Sequence, residues 1–268
     1  MKTKFILLTI IMTILLGACA NKENSADENA GKNLDDNKTD VIENNNAEIK
    51  TIDLNFTPVP IIKLTEELPK EEWTRGQSID FCNLPNQKEV TIHMYIDANA
   101  NLDLRPGEGT IYGFLEYENK TYELGVISSY GFHDVVIKLE DRNLDGIKDI
   151  NIFGGMGATY EELKIISYNE VNKEWENLLT MGSADILDLD KDGKEELVAG
   201  SRGSMPSFVD IYRWNSDHFE RVSITDATGN LYAQLDLVND EWIIVTGEAN
   251  FEPTLYKYEN GKLIEQRH

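Results

Sequence analysis

Two stretches of this chain can be laid on one another, and that repeat limits the fold more than composition does. Residues 135–155 read Val-Val-Ile-Lys-Leu-Glu-Asp-Arg-Asn-Leu-Asp-Gly-Ile-Lys-Asp-Ile-Asn-Ile-Phe-Gly-Gly. Residues 184–200 read Ala-Asp-Ile-Leu-Asp-Leu-Asp-Lys-Asp-Gly-Lys-Glu-Glu-Leu-Val-Ala-Gly. Asp141 and Asp188 stand 47 residues apart. Each stretch runs on into an aromatic hairpin, at 166–175 and 211–219, and the hairpin pattern recurs at 115–122 and 255–263. With Tyr117, Tyr168, Trp214 and Tyr258 as equivalents, the spacings are 51, 46 and 44 residues. A fixed period of this size marks an array of one supersecondary unit.

Within a unit the signals are those of strands. Short runs at 135–139, 150–153, 163–167 and 175–179 are separated by Asp-Gly, Gly-Gly and Asn-Lys turns, which is the pattern of strands and hairpins. Four short strands per unit predict an all-β fold, a β-propeller-like array of four to five blades over residues 51–268. The units fall at about 90–130, 131–180, 181–225 and 226–268. The segment before Val90 is either a fifth, partial blade or a strand that closes a ring. The run from Thr65 to Trp73 is expected to make one or two helical turns.

The acidic loops carry the clearest chemistry. Asp141, Asn143, Asp145 and Asp149 place oxygens at positions 1, 3, 5 and 9 of one loop, with Gly146 at position 6. Asp188, Asp190, Asp192 and Glu196 do the same in the other, with Gly193. A hard cation such as Ca2+ takes six to eight oxygens at about 2.3–2.6 Å, and a glycine permits the sharp bend. The backbone carbonyls of Ile147 and Lys194, at position 7, are further candidate donors. An EF-hand is excluded, since position 12 is Ile152 or Ala199 where that motif needs a bidentate glutamate. The loops resemble those of FG-GAP, or VCBS-type, repeats of integrin-alpha-like propellers. That resemblance implies a structural Ca2+ between the first two strands of a blade. It covers roughly residues 90–268. The outer units depart from it: Asp97-Ala-Asn-Ala-Asn-Leu-Asp103 keeps alternating oxygens but lacks the glycine and has fewer carboxylates, and 235–241 has lost the pattern, so no metal is expected at 235–241.

The N-terminus is an address. Met1-Lys-Thr-Lys4 precedes an apolar run, 5–16, that is shorter than the roughly 20 residues a membrane-spanning helix needs. A basic start, a short apolar core and a small-residue exit make a signal peptide, 1–18. Leu16-Gly-Ala-Cys19 resembles the lipobox of bacterial lipoproteins, which implies cleavage before Cys19, diacylglyceryl attachment to its thiol, and a place on the outer side of a cell membrane. Residues 19–50 are polar and charged, too poor in apolar side chains to offset the entropy of ordering, and read as a tether.

The formal charge of −23 argues against a nucleic-acid partner. With Cys19 taken by lipid, Cys82 has no partner for an internal disulfide and reads as buried and structural; pairing with His93 as a catalytic thiol is the alternative. The four histidines show no zinc spacing, and no serine stands in a Gly-x-Ser-x-Gly elbow. The Gly-rich turns at 154–160 and 200–208 read either as turns packing against neighbouring blades or as a candidate binding face of Met156, Tyr160, Arg202, Met205 and Phe208. The expected function is a binding or interaction module for a protein or glycan ligand. The alternatives are a hydrolase or its accessory subunit acting on glycan or cell-envelope material, and a purely structural envelope protein.

Overall fold

Tight turns force strands to pair with their neighbours in sequence. Glu118-Asn119, Asn239-Asp240 and Asn260-Gly261 hold φ between 48° and 79° at both central positions, the backbone of the two-residue hairpin turn whose twist matches that of the strands. A computed structural model describes residues 49–81, 89–97, 109–201, 203 and 205–266, which lie in the compact unit Ala47–His268.

The described chain is all-β, built as four antiparallel sheets in chain order. The first holds Trp73–Phe81 (β4), Val90–Asp97 (β5), Ile111–Tyr117 (β6) and Lys120–Ser128 (β7). The second holds Val135–Glu140 (β8), Asp149–Gly155 (β9), Glu161–Asn169 (β10) and Glu174–Gly182 (β11). The third holds Ala184–Leu187 (β12), Glu196–Gly200 (β13), Val209–Asn215 (β14) and His218–Ser223 (β15). The fourth holds Tyr232–Val238 (β16), Glu241–Gly247 (β17), Thr254–Glu259 (β18) and Lys262–Gln266 (β19). Tyr117, Tyr168, Trp214 and Tyr258 each lie on the third of these strands, next to the turn into the fourth.

The sheets stack through three cores. Ile92, Met94 and Leu115 of the first meet Ile150, Ile152 and Trp175 of the second. Phe153, Leu163 and Leu179 of the second meet Leu197, Ala199 and Tyr212 of the third. Val198, Ile211 and Val222 of the third meet Ala233, Ile244 and Tyr256 of the fourth. β9 lies between two sheets and is buried almost throughout, its Asp149 and Asn151 included.

Three expectations are corrected. The sheets do not close into a propeller ring: among the described residues no core joins the fourth sheet to the first. In the first sheet Trp73, Tyr95, Tyr112 and Phe114 pack on one another, with Trp73 stacked on Tyr112 at 3.9 Å. Next, the first sheet begins at Trp73 and not at Val90, so β5 is its second strand. Asp97-Ala-Asn-Ala-Asn-Leu-Asp103 therefore follows a second strand, and its place is not that of the acidic loops; residues 98–108 lie outside the described residues. Finally, residues 65–73 are not helical. Glu66 bridges Tyr122 instead, and Pro69 keeps Leu68 out of the helical region.

The segment before the first sheet adds itself to all four. Thr51–Asp53 (β1) pairs with β19, Thr57–Pro58 (β2) with β15 and Ile62–Lys63 (β3) with β11, and Glu66 reaches β7. Each partner is the fourth strand of its sheet, so this strap runs from the last sheet back to the first. Every fifth residue turns inward: Leu54 joins the core between sheets four and three, Val59 that between three and two, Leu64 that between two and one. Their amides donate to the carbonyls of Gly261 (3.0 Å), Phe219 (2.7 Å) and Trp175 (2.8 Å).

Candidate metal loops and clefts

The two acidic loops join the first and second strands of the second and third sheets. They share one backbone. Leu144 and Lys191, at position 4, have φ of 58° and 60°, and Gly146 and Gly193, at position 6, both have φ of 87°. Nothing lies within 4 Å of a Cβ added at either glycine, so the left-handed backbone, not crowding, requires glycine there.

They also share a hydrogen-bond pattern. The position 6 amide donates to the position 1 carboxylate, Gly146 to Asp141 at 2.9 Å and Gly193 to Asp188 at 3.1 Å. The position 7 amide donates to position 5, Ile147 to Asp145 at 2.7 Å and Lys194 to Asp192 at 2.8 Å. The position 5 amide donates to position 3, Asp145 to Asn143 at 3.1 Å and Asp192 to Asp190 at 3.3 Å. The position 2 amide donates to position 9, Arg142 to Asp149 at 2.7 Å and Leu189 to Glu196 at 3.1 Å. These bonds turn the side chains of positions 1, 3, 5 and 9 toward the loop's own centre.

The remaining oxygens supply the test of whether a cation fits. Asp141 Oδ1, Asp149 Oδ1 and Asp188 Oδ1 are buried with no hydrogen-bond partner. A buried oxygen left without a donor costs about 1–3 kcal/mol, more when charged. Carboxylate oxygens of Asp188, Asp190 and Glu196 lie within 4.8 Å of one another. Ligands at about 2.3–2.6 Å from one ion allow opposing oxygens about that far apart. Among the described residues the second loop alone brings three carboxylates together in this way; the donor set of both loops is all oxygen, which suits a hard cation, and Asn143 gives the first loop one carboxylate fewer. Burial pushes the Asp149 carboxyl up to about 6 and the Glu196 carboxyl up to about 7, with Asp145 raising the first further and Asp190 and Asp192 the second. Desolvated carboxylates set among like charges are in want of a counter-charge.

Arg142 ties the loops together. Its guanidinium donates to Glu140 of its own sheet and, at 2.6 Å, to Glu195 of the second loop. A cleft of about 490 Å³ runs across both loops, and Arg213, Tyr258 and Asn260 stand on its wall.

The candidate binding face divides. Met205 and Phe208 line a cleft of about 410 Å³ between the third and fourth sheets, with Leu235 and Trp242. Tyr160 lines another with His133 and Asp134, and its ring lies over Gly182, where an added Cβ would stand 2.2 Å from it. Met156 is half-buried, and its sulfur accepts from Ser129 Oγ at 3.7 Å. Gly154 is explained by packing: a Cβ there would lie 1.6 Å from the carbonyl oxygen of Ile127, on the first sheet. Arg202, Cys19 and Cys82 lie outside the described residues.

One constellation was hidden from sequence reading. Ser78 Oγ bonds His93 Nδ1 at 2.8 Å, and His93 Nε2 bonds Glu116 at 2.8 Å. The three lie 15 and 23 residues apart on β4, β5 and β6, so only the strand register could have revealed them. His93 is 8% exposed, and both ring nitrogens gain partners this way, which is what burial demands. Hydrolysis would further need oxyanion donors and a substrate cleft, and Ser78 stands exposed on an edge strand.

No family model, no curated protein and no solved structure matches this chain.

Proposed function

We propose that the protein is a lipid-anchored, extracytoplasmic lipoprotein whose stacked array of four β-sheets holds Ca2+ in two loops and serves as a binding module. The observation that carries the calcium reading is the shared geometry of the loops, with the same φ at positions 4 and 6, the same four hydrogen bonds and unpartnered buried carboxylate oxygens in both. Asp141, Asn143, Asp145 and Asp149 would hold one ion with the Ile147 carbonyl. Asp188, Asp190, Asp192 and Glu196 would hold the other with that of Lys194. The role is structural, since each loop links two strands of a sheet and the ion supplies the counter-charge its buried carboxylates lack.

The anchor reading rests on Leu16-Gly-Ala-Cys19, and among the described residues no helix is long and apolar enough to cross a membrane. The ligand reading rests on the cleft of Met205, Phe208, Leu235 and Trp242, where apolar and aromatic side chains meet Asp185 and Asp236. Such a mixture suits a protein segment or a sugar face. Titration calorimetry of the full chain with CaCl2 is expected to give two sites, one of which disappears in Asp145→Ala and the other in Asp192→Ala. Heats that both variants leave unchanged would refute the loop assignment. Cys19→Ala is expected to move the protein from the membrane fraction to the soluble one.

A further inference from the structure

The two loops differ in what lies beyond them. In the first, the Asn143 amide donates to Asp145 and, at 3.3 Å, to Ser167 on β10 of the same sheet. In the second, Asp190 Oδ2 accepts from the backbone amide of Asn260 at 2.8 Å, across to the fourth sheet. Asn260 and Gly261 are the turn between β18 and β19. The Gly261 carbonyl in turn accepts the amide of Leu54, on the strap, at 3.0 Å.

Side chains run beside this backbone path. The Arg213 guanidinium lies 3.9 Å over the ring of Phe56 and pairs with Glu220 at 2.6 Å. A Cβ on Gly261 would meet Arg213 Nη1 at 2.8 Å and Phe56 at 3.7 Å, so the turn, the arginine and the strap are in close register. Lys262 pairs with Asp53 at 2.8 Å. Asp190, a candidate ligand, is thus two hydrogen bonds from the start of the strap.

We propose that the Asn260-Gly261 turn is part of the second loop's cation site, and that a cation there clamps the first segment of the strap, residues 50–56, onto the fourth sheet. This rests on the calcium reading above. The turn fixes Asp190 from outside the loop. An ion on Asp190 holds that carboxylate where it accepts from Asn260, and the turn so held presents the Gly261 carbonyl to Leu54. By linkage, whatever the bound state requires to be ordered is stabilised by the ion.

Hydrogen exchange of the full chain tests this, with mass-spectrometric readout of peptides covering residues 50–56. The probe is CaCl2 at about 100 times the dissociation constant found by calorimetry, against chelator. Full coupling slows exchange by the factor one plus the ratio of ligand to dissociation constant, about 100-fold. Wild type and Asp145→Ala should both show slowing of more than tenfold, and Asp192→Ala none. Asp192→Asn, with the shape of the loop kept, is the second variant should the alanine misfold, and is expected to lose most of the effect. Calcium that binds the second loop by calorimetry and leaves residues 50–56 exchanging at an unchanged rate would overturn the clamp alone. Equal slowing in Asp192→Ala would do the same. Absence of any calcium heat would overturn the calcium reading and the clamp with it.

Discussion

Leu64→Ala is the cleanest test of the strap. Leu64 is 8% exposed, sits in the core of the first and second sheets, and donates its amide to Trp175. The substitution leaves that backbone bond in place and removes three carbons from the core. At about 0.8 kcal/mol for each buried methylene the transfer loss is about 2 kcal/mol, and a cavity adds to it within the 2–5 kcal/mol range of such truncations. The strap is one strand deep at the edge of the array, so collapse is easy and the expected cost is about 2–3 kcal/mol. Urea unfolding followed by tryptophan fluorescence reads it, with Trp175 in the same core. In a domain of this size each kcal/mol moves the melting point by about 2–4 °C, so a fall of about 4–12 °C accompanies it. Leu68→Ala is the control: Leu68 is 75% exposed, four residues on, and should change stability by less than about 0.5 kcal/mol. A Leu64→Ala protein as stable as wild type, or an equal loss from Leu68→Ala, would show that the strap is not a structural part of the stack.

Gly154→Ala drives a methyl into the Ile127 carbonyl and should cost about 3 kcal/mol or more, at the upper end of overpacking effects; a loss under about 1 kcal/mol in urea would mean that the first two sheets do not approach so closely. In chelator, stability should fall as pH rises. Asp149 and Glu196 are raised from ordinary values of 3.8 and 4.5 to about 6 and about 7, so the folded chain holds these protons more tightly than the unfolded chain does. The contribution is fully present below about 4 and is lost as pH climbs through about 6 and then about 7, on the order of 3 kcal/mol for Asp149 at about 1.4 kcal/mol per unit and less for Glu196, where solvent screens part of the shift. Melting curves from pH 4 to 8 check the sign, and a chelated protein that gains stability over this window would contradict the burial of the two carboxylates.

All-β structure was legible because short runs of four or five residues, punctuated by Asp-Gly, Gly-Gly and Asn-Lys, admit little else. The positions of Tyr117, Tyr168, Trp214 and Tyr258 were legible for a related reason: each is a large aromatic fixed one or two residues from a tight turn. The first sheet was misplaced because β4 is exposed along most of its length and so lacks the alternation that marks a half-buried strand. The strap was missed because its period is five, which belongs neither to a helix nor to a strand. Leu54, Val59 and Leu64 follow the spacing between sheets. The acidic loops could be read since each oxygen position is local in sequence. The Asn260 contact to Asp190, 70 residues away, has no local signal at all.

The central claim is that the two loops hold calcium as part of the fold. The direct measurement is the melting temperature of the full chain in calcium and in chelator, with magnesium as the control ion. At about 100 times the dissociation constant each site contributes about 2.7 kcal/mol, so two sites should raise the melting point by about 10 °C or more at 2–4 °C per kcal/mol. Magnesium, which demands a tighter octahedral shell, should do much less. Identical melting curves in calcium and chelator would contradict the account.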